Sequence, residues 1–132
     1  MGAKSLGRAA GYCFGVLLVL NAFVFPLVFP EGPPAPYENA RLSPLYAVHT
    51  LALLASALLI TLTFAVVYPQ RRTWMDGLKF GALLGLVVSF PSGMHTYAMV
   101  DISYRDAITP IVWTVATWAV GSAAVGAAAR QS

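Results

Sequence analysis

Long apolar runs separated by short polar segments organise this chain. The stretches 9–30, 42–70, 80–100 and 107–129 contain no Asp, Glu, Lys or Arg. A hydrocarbon core of about 30 Å needs about 20 apolar residues in helix, so each run is long enough to cross a bilayer. The pattern predicts an all-α integral membrane protein, with transmembrane helices near 9–30, 43–68, 78–100 and 108–129 forming one antiparallel bundle. The segments between spans are too short to bury cores of their own. Residues 1–132 are therefore expected to form a single domain stabilised by helix packing in lipid.

Small residues recur at helical spacing within the spans. Gly7, Gly11 and Gly15 begin the first, and Gly77, Gly81 and Gly85 begin the third. Tandem small-xxx-small steps let helix backbones approach closely, so both stripes are expected in helix contacts. The fourth span carries a further small face of Thr114, Thr117, Gly121, Ala124 and Ala128. Ser43-Pro44 and Thr109-Pro110 each read as an N-cap hydroxyl followed by a proline at the first helical position. Tyr37, Asn39, Ala40, Ser43 and Pro44 match Tyr104, Asp106, Ala107, Thr109 and Pro110 with a one-residue gap. Together with the two glycine stripes, this match reads as two duplicated helical hairpins, chance similarity in Gly/Ala-rich sequence being the alternative.

Composition supports the membrane assignment: at 58% hydrophobic and 10% charged, a soluble domain of this length could not hide its apolar surface from water. The formal charge of +3 does not point to nucleic acid, because the basic residues are dispersed and follow the ends of the spans. Lys4, Arg8, Arg71, Arg72, Lys79 and Arg130 fall on one side, and Arg41 and Arg105 on the other. The positive-inside rule then places both termini in the cytoplasm. Lys4 and Arg8 ahead of an apolar run resemble a signal peptide, but the run over 9–30 is longer than a typical signal core and is read as a retained helix. Cys13 is the sole cysteine, which excludes an internal disulfide and paired-cysteine redox chemistry; it reads as a small packing residue.

His49 and His95 are the two ionisable side chains of ligand type within the spans. His49 follows Pro44 by five residues and His95 precedes Asp101 by six, which puts both about 8 to 9 Å inside their helix ends at about 1.5 Å per residue. His49, Ser56 and Thr63 form one line at seven-residue spacing, and Ser92 and His95 extend the stripe of Gly81, Gly85 and Ser89. Both imidazoles are accordingly expected to face the bundle interior, where ionisable groups in membranes usually lie. Two facing imidazoles could hold a haem b iron, and Met94 and Met99 beside them would complete a softer copper set. The structural alternative is that each histidine bonds a neighbouring Ser, Thr, Tyr or carbonyl, a common role for polar residues in transmembrane helices. Asn21 is weighed in the same way, as helix glue against a solute path, and Pro26, Pro30 and Pro91 as plain kinks against exposed carbonyls.

Absences set some families aside. The first span lacks the glutamate that small multidrug exporters use, and no buried carboxylate is available for proton coupling. From Gly81-Ala-Leu-Leu-Gly85 through Tyr97 and Asp101 to Gly121 and Gly126, the last two spans resemble uncharacterised small four-span bacterial membrane proteins. That resemblance implies a bacterial setting and nothing catalytic, and the expected location is the bacterial inner membrane. The expected function is non-catalytic: an accessory or scaffold subunit in the lipid bilayer, packed against other membrane subunits or as a homo-oligomer. A haem- or copper-binding redox protein and an oligomeric solute channel or carrier are the alternatives.

Overall fold

The computed structural model describes residues 2–29, 46–70 and 73–130. Four helices are long and apolar enough to cross a membrane, and they form an all-helical antiparallel bundle: α1 Ala3–Val28, α2 Tyr46–Val67, α3 Trp74–Met99 and α4 Tyr104–Arg130. One face of the bundle carries the start of α1, the α2–α3 turn and the end of α4. The opposite face carries the end of α1, the start of α2 and the α3–α4 turn.

The helices extend past the charge-free runs where local capping supports another turn. Thr73 caps α3 in a closed capping box: the Asp76 N–H donates to Thr73 Oγ1 (3.2 Å), and Thr73 N–H and Oγ1 donate to Asp76 Oδ2 (3.0 and 2.6 Å). At α4 the Asp106 N–H donates to Ser103 Oγ (3.1 Å), so the helix starts at Tyr104 rather than at Pro110. The expected Thr109-Pro110 cap is thus corrected. Thr109 Oγ1 donates back to the Arg105 carbonyl (2.8 Å), and Pro110 lies inside the helix. Ser43-Pro44 and the matching residues from Tyr37 onward lie outside the described residues, as does Pro30.

The α1 helix is not uniform. An α-helix over Ala3–Val19 passes into a π-helical turn over Leu20–Val24 and a last α-turn over Phe25–Val28. Pro26 explains the change: it has no N–H to donate, and the Phe25 N–H reaches Leu20 O, five residues back.

The closest packing joins α3 to α4. A Cβ added at Gly77 would strike the Ser122 carbonyl oxygen, and one at Gly81 the Trp118 carbonyl oxygen. At Gly85 it would come within 3.0 Å of Val115 Cα. The third-span stripe therefore lets two backbones meet, as its spacing predicts. A different face of α4 meets α1, where a Cβ at Gly121 would lie 3.2 Å from Leu17 Cδ2 and 3.3 Å from Cys13 Sγ. Ala9, Cys13, Leu17, Ala57, Ile60, Phe64 and Val125 form the fully buried core among α1, α2 and α4. Phe80 of α3 joins it through edge contacts to Phe64 and Tyr68, with centroids 5.5 and 6.1 Å apart.

The first-span stripe behaves differently. A Cβ added at Gly7, Gly11 or Gly15 meets nothing within 4 Å. Gly11 is two residues from both Ala9 and Cys13, which face the core. With between three and four residues to a helical turn, a step of two crosses to the other side of the helix, so the glycines point away from the bundle. Their expected contact with another helix is not made among the described residues. The sequence echo between the two stripes carries no equivalence of role.

Candidate functional site

Among the described residues several concavities lie toward the opposite face, and two of them are set between helices. The larger, about 640 Å³, lies between the second half of α1 and the start of α2, with Trp113 of α4 on its wall. Asn21, in the π-turn, organises it. Its Nδ2 donates to the Leu17 carbonyl (2.8 Å), and its Oδ1 accepts from Trp113 Nε1 (3.1 Å), tying α1 to α4. The indole is held further by edge contacts to Phe25 and Phe29 at 5.1 and 5.9 Å. Asn21 thus acts as helix glue, with its amide oxygen and one amide hydrogen engaged.

His49 reaches the rim of this groove, one turn into α2, with an exposed side chain. His95 lies one turn from the end of α3, also exposed, and lines neither concavity. The α4-facing line of α3 runs through Gly85, Ser89 and Gly93 to Thr96. His95 comes two residues after Gly93, which turns it to the other side of α3, so the stripe does not continue to it. The histidines therefore share no cavity, and the expectation that both face the interior is corrected. Met94 is half-buried and Met99 exposed, on different sides of the helix end. Among the described residues no group of three or more His, Cys, Asp and Glu side chains is placed to hold a metal ion. Ser56 and Thr63, in line with His49, donate to the carbonyls of Ala52 and Leu59 on their own helix (2.9 and 2.6 Å).

The second cavity, about 390 Å³, lies between the ends of α3 and α4 that meet the opposite face. Ser89, Ser92 and Thr96 line it from α3, and Asp106, Pro110 and Thr114 from α4. Asp106 is half-buried there, a position hidden in the sequence because it read as a loop residue before a helix beginning at Pro110. The available signal was Ser103-Tyr-Arg-Asp106, a hydroxyl cap with an acid three residues on. Both Asp106 and Asp76 occupy that position, yet only the Asp76 carboxylate bonds back to its cap.

No family model, curated protein or solved structure matches this chain.

Proposed function

We propose that this chain is a non-catalytic membrane subunit that works by helix packing, as an accessory or scaffold component of a larger membrane assembly or of its own homo-oligomer. The open glycine face of α1 carries the reading. Two of the three glycine-bearing helices spend their close-packing faces within the bundle, whereas Gly7, Gly11 and Gly15 leave a groove on α1 that no part of the described chain fills. Such a groove gains dispersion contacts only when another backbone enters it, because lipid chains pack less well against a helix than a second helix does. A bacterial inner membrane with both termini in the cytoplasm goes with this proposal, supported by the distribution of Lys and Arg and by the resemblance of the last two spans. A redox role through His49 and His95 has less support, because their side chains open on different surfaces.

Site-directed cross-linking in the native membrane tests it. In a Cys13→Ser background, Gly11→Cys is expected to give one discrete cross-linked species, with itself or with one other protein. In the otherwise unaltered chain, Gly11→Leu is expected to abolish that association while helicity and thermal stability of the isolated protein stay unchanged. Absence of any discrete product, together with normal assembly of Gly11→Leu, would falsify the reading.

A further inference from the structure

We infer that the cavity between α3 and α4 is a binding site for a small primary ammonium ion, which enters from the opposite face and pairs with Asp106. The inference does not depend on the α1 surface. It rests on what the cavity offers to hydrogen bonding. Ser89 Oγ already donates to the Gly85 carbonyl (2.6 Å) and Thr96 Oγ1 to the Ser92 carbonyl (3.0 Å), so their oxygens face a ligand as acceptors. Pro110 has no N–H, which leaves the Asp106 carbonyl, four residues back, without its helical donor. The Asp106 carboxylate holds no hydrogen bond or ion pair with any described residue. No Lys, Arg, His, Asn, Gln or Trp among the described residues lines the cavity, and the uncommitted protons there are the hydroxyls of Ser92 and Thr114.

An excess of acceptors around one carboxylate calls for a ligand that brings donors and positive charge. The dipole at the start of α4, equivalent to about half a positive charge, offsets part of the carboxylate and leaves the site net anionic. Arg105 is exposed and does not line the cavity, so it does not supply the missing cation.

The same features separate an ammonium ion from a metal. A divalent cation of the calcium type takes six to eight oxygens, usually from several carboxylates, and this cavity holds one carboxylate. Val88, Ile102 and Ile111 add apolar wall suited to a short alkyl group, and about 390 Å³ is at the small end of ligand sites. The chemistry therefore fits a primary amine of a few carbons.

Calorimetric titration of the full chain in lipid nanodiscs with n-butylammonium tests the site. Saturable binding is expected, weakened about tenfold or more by Asp106→Asn and left unchanged by Asp101→Asn on the exposed turn nearby. In the unaltered protein, tetramethylammonium, which has the charge but no N–H donors, should bind about tenfold more weakly or worse. This second comparison needs no variant and holds even if Asp106→Asn fails to fold. No saturable heat with n-butylammonium, equal binding of tetramethylammonium, or binding by a folded Asp106→Asn protein at unchanged affinity would each overturn the assignment.

Discussion

Gly81 and Gly11 show how one residue type takes opposite roles according to the direction it faces. Gly81 lies against the Trp118 carbonyl, and a Cβ there would sit 2.6 Å from Ser122 Cβ, so even one methyl group must push two backbones apart. Overpacking of this kind costs about 1–3 kcal/mol and more where backbone cannot yield. Gly81→Ala is expected to lower the thermal midpoint of the purified protein clearly, while Gly11→Ala, with nothing within 4 Å of the added carbon, should leave it unmoved. Ser122 sits in the same contact, fully buried, with an Oγ that has no hydrogen-bond partner among the described residues. Removing an unsatisfied buried hydroxyl without changing backbone fit should help, so Ser122→Ala is expected to gain about 1 kcal/mol in reversible detergent unfolding. A loss on that substitution would mean the hydroxyl has a partner in the membrane. Asn21 and Trp113 represent the complementary case, a polar pair joining two helices 92 positions apart in sequence. A double-mutant cycle on Asn21→Ala and Trp113→Phe should return a coupling of about 0.6 kcal/mol, the average for polar contacts between membrane helices.

Helix termini follow short-range rules that are visible in sequence once the cap is recognised. The α3 start has a complete box at Thr73 and Asp76. Thr73→Ala is expected to cost about 0.5–2 kcal/mol and to raise amide exchange through Trp74–Lys79 while the rest of α3 stays protected. Exchange unchanged in that segment would show that packing against α4 alone fixes the helix start. The α4 start carries the same pattern, but Thr109-Pro110 offered a competing cap in sequence, and a proline at the first helical position is a common arrangement. What decides for Ser103 is that Pro110 loses a single backbone bond inside the helix, whereas beginning there would unwind the segment from Tyr104 to Thr109 and expose Ala107, which is buried. The π-turn of α1 has a similar origin: Pro26 disrupts the regular ladder, and the turn places Asn21, Phe25 and Phe29 together against Trp113.

In the whole molecule, α4 is central, presenting one face to α3 and another to α1, while α2 and α3 meet through Phe64, Tyr68 and Phe80. The two hairpins consequently differ. One closes by backbone contact along glycines and the other by side-chain packing of Cys13 and Leu17 with Ala57 and Ile60. Antiparallel packing places Gly2 and Gln70 on one face and Asp101 on the other. Membrane-impermeant labelling of single cysteines at these positions, in a Cys13→Ser background, is expected to modify Asp101→Cys from outside intact cells and the other two only after the membrane is opened. Gln70→Cys and Asp101→Cys labelled from the same side would refute both the topology and the charge-based orientation.

The sequence by itself determined the number of helices, their approximate spans and their antiparallel arrangement, because crossing hydrocarbon demands about 20 apolar residues and tolerates no other open backbone structure. It also marked the stripe of Gly77, Gly81 and Gly85 as a packing face, since spacing by four is a local property of one helix. Only the tertiary structure decided which faces meet. A step of two residues crosses a helix from one side to the other, so Gly11 and His95 fall on surfaces opposite those of Cys13 and Gly93, and no periodicity within one helix says which of its faces a neighbour will take. The joining of Asn21 to Trp113 and the gathering of Ser89, Thr96 and Asp106 around one cavity depend in the same way on how separate helices are rotated and set against one another.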